Sequence, residues 1–204
     1  RQNWKLAPRY LLLAGDSSYD PRNYLGLGNN DLVPTRLIDT DYMESASDDS
    51  FADFDGDGLA EMSVGRLPAN TAAELALMVN KIIGYAKAPP SEEALLVADQ
   101  NDDYDFEAAS NQLRAAFPAT LRINQIKRGR MDAAAAKAAL IEAIERGQKV
   151  INYTGHGSID LWRGHLLATV DAPTMTNNGH LSLFVMMTCL NGYFGDPALD
   201  TLSW

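Results

Sequence analysis

The chain has 204 residues, 46% of them hydrophobic, which is enough apolar content to bury a full core in one large or two small domains. Its 17 Lys and Arg against 27 Asp and Glu leave a formal net charge of −10 and no basic stripe for phosphate contacts, so nucleic acid is excluded as a partner. Apolar stretches are strand-sized and interrupted, so membrane insertion is not expected, and Arg1-Gln2-Asn3-Trp4-Lys5 lacks the organisation of a signal peptide.

In chain order, Tyr10-Leu11-Leu12-Leu13-Ala14 reads as a buried strand ending at Gly15-Asp16. Asp53-Phe54-Asp55-Gly56-Asp57-Gly58-Leu59-Ala60-Glu61 is the next marked segment. Alternating carboxylates on a tight turn aim several hard oxygens inward, and glycine permits the curvature, which is what a calcium ion requires. The closing carboxylate comes too early for an EF-hand, so the loop is of the short aspartate-rich type. Asp53, Asp55, Asp57 and Glu61 are the expected side-chain ligands of a structural calcium, and Leu59 offers its carbonyl. The alternative is an acidic turn with no ion, in which the crowded carboxylates repel one another.

Leu59 to Val64 reads as a strand broken at Gly65. Thr71-Ala72-Ala73-Glu74 is a capping box opening a helix whose Leu75, Met78, Val79, Ile82 and Ile83 share one face, expected to be core. Ala88-Pro89-Pro90-Ser91 ends that helix and separates an N-terminal α/β subdomain, residues 1–88, from a second subdomain, residues 91–204. Strand and helix then alternate: Ala94 to Ala98, a helix near Phe106 to Ala116, Leu121 to Ile126, a helix from Asp132 to Arg146, and Lys149 to Tyr153. This order implies right-handed crossovers and an α/β fold, a mostly parallel sheet with helices on both faces.

Two motifs carry chemistry. Val150-Ile151-Asn152-Tyr153-Thr154 is a buried strand that leads into Gly155-His156-Gly157-Ser158, and Leu183-Phe184-Val185-Met186-Met187-Thr188 is an apolar run that ends at Cys189, the only cysteine. In parallel sheets, ligands bind beyond the carboxyl ends of strands, so a thiol and an imidazole placed there can meet. A thiolate needs a base nearby and an open position, and a strand end entering a turn supplies the opening. The competing reading is a buried structural cysteine and a plain turn histidine. His165 and His180 lack close zinc-ligand spacing and are expected on loops. A lone cysteine excludes an intramolecular disulfide and leaves the compartment open.

Tyr153-Thr154-Gly155-His156-Gly157-Ser158 followed by Trp162, and Met187-Thr188-Cys189-Leu190-Asn191-Gly192-Tyr193-Phe194, resemble the histidine and cysteine motifs of the gingipain-like cysteine peptidases, of the caspase-like clan. Upstream, Gly15-Asp16, Val33-Pro34-Thr35, Thr40-Asp41-Tyr42, Asp53 to Asp57 and Val64-Gly65-Arg66-Leu67-Pro68 follow the order of bacterial members, so the resemblance runs from about Tyr10 to the C-terminus. It implies a caspase-like three-layer sandwich, with Cys189 as nucleophile, His156 as general base and acid, and the N–H groups of Gly157 and Cys189 as the oxyanion hole. It also implies one upstream acidic residue that orients the histidine and another that receives a basic P1 side chain. The matching segment, Ala98 to Glu107, matches too loosely to give each role to one residue, and Asp102, Asp103 and Asp105 are the candidates for binding arginine or lysine. The resemblance further implies that the domain continues past Trp204 into a longer parent chain.

The function expected is a cysteine endopeptidase acting on protein or peptide substrates through an acyl-enzyme, without organic cofactor, secreted or on the cell surface. Two other readings remain: a catalytically silent, calcium-stabilised surface or secretion module, and a transpeptidase that passes the same acyl group to an amine.

Overall fold

The computed structural model describes residues 4–28, 31–88, 91–177 and 179–199, so Pro89 and Pro90 of the expected boundary lie outside the described residues, as do Arg1 to Asn3 and Trp204. The chain divides into two units, Arg1–Val79 with Tyr193–Leu199, and Asn80–Gly192.

In the first unit, β1 (Tyr10–Ala14) runs parallel to β4 (Ser63–Leu67), with Leu12 opposite Gly65. Between them in sequence, β2 (Leu37–Asp39) and β3 (Glu44–Ala46) form an antiparallel hairpin whose turn is closed by the Thr40 hydroxyl, donating to the Met43 carbonyl at 2.7 Å. Arg66 ties these pieces together. Its guanidinium pairs with the Asp48 carboxylate at 2.7 Å and donates to the carbonyls of Gly15 at 2.7 Å and Val33 at 2.6 Å. The Phe194 ring packs 4.9 Å from the same guanidinium. A buried Arg is stable only when its donors are taken up in this way.

Three expectations change here. The strand expected to be buried over Tyr10 to Ala14 forms, but one of its faces is open, with Tyr10 and Leu12 exposed. The strand expected over Leu59 to Val64 begins at Ser63 and continues through Gly65 to Leu67. Residues before it are used to close the acidic loop, where the Glu61 N–H donates to the Ala52 carbonyl at 2.9 Å, and Gly65 is held in register by β1. The helix α1 (Ala72–Lys87) forms as expected, with the Glu74 N–H on the Thr71 hydroxyl at 3.1 Å, but the Glu74 carboxylate reaches back to the Asn70 N–H. Its apolar face is not core in this chain: Ile82 is 54% exposed and Ile83 43%.

The second unit is a four-stranded parallel sheet in the order β6-β5-β7-β8, made of β6 (Arg122–Lys127), β5 (Glu93–Ala98), β7 (Val150–Thr154) and β8 (Leu183–Met187). All three pairings are parallel. α2 (Phe106–Ala116) links β5 to β6, and α3 (Ala133–Arg146) links β6 to β7. Asp105 and Asp132 cap the two helices by accepting from Ala108 and Ala134 N–H groups. Leu95 and Val97 of β5, with Ile151 and Tyr153 of β7, pack against Ala136, Leu140, Ala143 and Ile144 of α3. Ala94, Leu96 and Ala98 are equally buried and face the other way, where the right-handed crossover rule places α2. The near-continuous apolar reading of β5 follows from burial on both faces.

The order matters for the site. The chain leaves β5 toward β6 on one side and returns across it to β7 on the other, so the direction of winding reverses between β5 and β7. In open α/β sheets this switch point, at the carboxyl ends of the strands, is where a crevice opens.

Candidate active site

Thr154 of β7 is paired with Met187 of β8, so His156 and Cys189 each stand two positions beyond the last paired residue of adjacent parallel strands. Both are exposed at the carboxyl edge of the sheet. The two following turns touch. A Cβ on Gly157 would stand 2.5 Å from the Thr188 hydroxyl oxygen and 3.4 Å from the Cys189 carbonyl oxygen, so only glycine lets them approach.

His156 opens a small hairpin. The Arg163 N–H donates to the His156 carbonyl at 2.9 Å, and the Ser158 N–H donates to the Leu161 carbonyl at 2.9 Å. Trp162, fully buried, lies flat on Tyr153 of β7 with ring centroids 4.0 Å apart, which fixes the hairpin to the sheet. The Tyr153 hydroxyl donates to the His156 carbonyl at 2.7 Å, and burial, with the nearby Asp99 carboxylate, keeps that phenol protonated.

On the other side Cys189 enters a three-residue turn. The Asn191 N–H donates to the Cys189 carbonyl at 2.8 Å, and Leu190 sits at φ 62°, in the left-handed region that non-glycine residues seldom adopt. The buried Asn191 amide donates to the Ser158 carbonyl, joining the cysteine turn to the histidine hairpin. Among the described residues, no acceptor takes the N–H of Gly157 or of Cys189.

The loop after β5 completes the arrangement. Asp99, wholly buried, pairs with Arg128 at 2.8 Å and accepts the His156 N–H at 3.2 Å. A Cβ on Gly155 would fall 2.4 Å from the Asp99 Cβ. Asp102 meets the His156 ring itself, Oδ2 lying 3.0 Å from Nε2. The same Oδ2 accepts from Arg163 Nη1 at 2.7 Å. The Tyr104 N–H and then the Arg163 guanidinium hold the Asp102 carboxyl below the ordinary carboxylate range. An ionised carboxylate only accepts, so Nε2 is the donor in this hydrogen bond. The Phe106 ring stands edge-on to the imidazole, with centroids 5.2 Å apart.

The three acidic candidates for a basic side chain therefore have different surroundings. Asp102 is engaged by His156 and Arg163, and Asp105 caps α2 and accepts from the Asn101 amide at 2.7 Å. Asp103 is exposed and carries no ion pair among the described residues. The acidic run hid the role of Asp102, and Asp99, Arg163 and Asn191 left no local signal. Only the β5–β7 register and the hairpin pairing bring Asp99, Asp102 and Arg163 to His156, and the β7–β8 register brings Asn191 to Ser158.

Away from this edge, Asp53, Asp55, Asp57 and Glu61 place one carboxylate oxygen each within 4.8 Å of one another, the one such cluster among the described residues. The loop is held by its own backbone: Asp53 accepts from Gly56 and Gly58 N–H groups, Asp57 from Leu59, and Glu61 from Phe54. An all-oxygen carboxylate set of this size suits a hard divalent cation. His165 lies in a short 3-10 turn and His180 in a loop.

Residues 1–203 match the family model for peptidase family C25. Lys-gingipain W83 of Porphyromonas gingivalis is 28% identical over 149 residues, 69% of this chain and 8% of that protein. Gingipain R2 of Porphyromonas gingivalis is 21% identical over 194 residues, 91% of this chain and 24% of that protein. The crystal structure of the Arg-specific cysteine proteinase gingipain R aligns at a TM-score of 0.67 and 20% identity over 91% of this chain and 41% of that one. The fold is thus the caspase-like α/β sandwich, and the chain spans less than half of each of these relatives.

Proposed function

Because the chain belongs to peptidase family C25, we propose that it carries the Cys-His centre of a cysteine endopeptidase. The observation that supports this most is the β7–β8 register, which sets His156 and Cys189 at equal positions past adjacent strand ends, with Asp102 hydrogen-bonded to the imidazole Nε2.

In this reading His156 Nδ1 takes the Cys189 proton, and the thiolate sulfur attacks the scissile carbonyl carbon. The Gly157 and Cys189 N–H groups receive the oxyanion, each such donor contributing about 2–4 kcal/mol to the transition state. His156 returns its proton to the leaving amine, and water then hydrolyses the thioester with His156 again as base. Asp102 fixes the tautomer and orients the ring, a role separate from substrate binding. A preference for basic P1 residues would then rest on Asp103, the candidate that carries no ion pair among the described residues. The acidic loop, Asp53, Asp55, Asp57 and Glu61 with the Leu59 carbonyl, would hold a calcium ion that stabilises the loop and takes no part in the chemistry.

The protein would act on proteins or peptides outside the cell or at its surface, within a longer parent chain. Among the described residues, no helix is long and apolar enough to cross a membrane. Peptide acyloxymethyl ketones with arginine, lysine, aspartate or alanine at P1, read by mass spectrometry, test the reading. Labelling of Cys189 that is lost in His156→Ala and favours arginine or lysine is expected. A folded protein whose Cys189 takes no label would instead be a silent surface module.

A further inference from the structure

The Asp102 carboxylate has two cationic claimants at one oxygen, and this deepens the peptidase reading, on which it rests. Arg163 lies directly across the hairpin from His156, joined to it through the Arg163 N–H and the His156 carbonyl, so the two side chains are cross-strand neighbours. Arg163 Nη1 is 2.7 Å from Asp102 Oδ2, closer than His156 Nε2 at 3.0 Å, and 3.7 Å from Asp99 Oδ2. We propose that Arg163 is a positioning residue that keeps His156 neutral and available as a base, by neutralising in advance the carboxylate that orients it.

Charged and titratable groups face the ring from several elements. From the loop after β5 come Asp102 on the ring nitrogen and Asp99 on the His156 N–H, the latter already paired with Arg128. From the hairpin comes Arg163, and from β7 the Tyr153 hydroxyl, which touches only the His156 carbonyl. α2 contributes the uncharged Phe106 ring, while its Glu107 is taken by Arg130. The turn after β8 contributes the Cys189 thiol. With Asp102 alone, a protonated imidazole would gain a full opposite charge, and the histidine would stay protonated to higher pH. With Arg163 on the same oxygen, protonating His156 sets a second cation beside the first, and the gain is cancelled. The carboxylate keeps its hydrogen bond to Nε2, and so its hold on the tautomer, without driving the ring cationic.

The test is a histidine ring NMR titration of the intact protein in a Cys189→Ala background, with the His156 signal assigned by loss in His156→Gln. Arg163→Met should raise the His156 midpoint by about half to one pH unit, with the shift shrinking as salt is raised. Arg163→Lys, which keeps the charge, should stay near the parent value. Should the methionine variant not fold, Arg163→Gln keeps a donor toward Asp102, drops the charge, and is read the same way. A midpoint that does not move, or that moves as far with lysine as with methionine, overturns the proposal. This titration needs no turnover, so absence of Cys189 labelling would remove the peptidase reading and leave the result for Arg163 standing, and the reverse also holds.

Discussion

At the scale of single residues, the centre depends on close backbone approach as much as on reactive side chains. Gly157 shows this most directly, since an added Cβ would stand 2.5 Å from the Thr188 hydroxyl oxygen and 3.1 Å from the Leu161 carbonyl oxygen. Both neighbours lie on the segments that bring His156 and Cys189 together, so alanine must push the hairpin and the cysteine turn apart and carry the Gly157 N–H with them. Gly157→Ala is expected to slow Cys189 labelling by about 10²–10³, the scale of losing one oxyanion donor. It should also cost about 1–3 kcal/mol of stability as overpacking strain. Gly192→Ala is the matched control, because a Cβ there meets nothing within 4 Å. Labelling rates and urea midpoints for both variants decide the point, and equal rates would show that the approach at Gly157 is not used. The residues at the heart of the site were legible because cysteine is unique here and glycine brackets the histidine. Asp102 was not singled out, because its neighbours Asp103 and Asp105 carry the same chemistry and differ only in what the fold puts beside them.

At the scale of elements, legibility followed burial. β5 and β7 with α2 and α3 stand where their apolar runs and caps place them, since strands covered on both faces and helices opened by Asp105 or Asp132 leave strong local patterns. β8 forms over its apolar run, but the expectation that it is covered on both faces fails, because Leu183, Val185 and Met187 are exposed. The β2–β3 hairpin was invisible because its strands are only three residues long, too short to show an alternating pattern, and its turn is closed by Thr40. α1 was recognised as a helix, yet its exposure could not be read from periodicity, which reports a stripe but not what covers it. The acidic loop is the element whose reading reaches beyond its own contacts. Its carboxylates are held by backbone N–H donors in a cluster that bound calcium would neutralise. Binding at about a hundred times the dissociation constant adds about 2.7 kcal/mol, which for a protein of this size corresponds to a rise of about 5–10 °C in melting temperature. Melting curves in calcium chloride and in EDTA measure it, and Asp55→Asn with Asp57→Asn should abolish the difference. Identical curves for the unmutated protein would leave the loop as an acidic turn closed by its own backbone.

At the scale of the whole molecule, a residue far in sequence from His156 and Cys189 links stability to pH. Asp16 follows β1 and is 4% exposed, with its side chain accepting from the Ser17 N–H at 2.9 Å. Burial pushes its carboxyl up to about 6, against the partial relief given by Ser17, Asn70 and Arg66. The folded state thus holds the Asp16 proton more tightly than the unfolded chain, whose value is 3.8. The contribution of this group is fully present below about pH 4 and is lost as pH rises through about 6, the reverse of a salt-bridged carboxylate. The shift of about two pH units corresponds to about 3 kcal/mol at neutral pH. Asp16→Asn keeps an acceptor for the Ser17 N–H and removes the charge, so it should gain most of that stability at pH 7 and almost none at pH 4. Denaturant unfolding of both proteins at a series of pH values isolates the effect, because every other carboxylate is common to the pair and cancels in the difference. A gain that is the same at pH 4 and pH 7 would assign it to packing. A gain that grows between those values would mean that the ionised Asp16 carboxylate is retained in the first unit against stability.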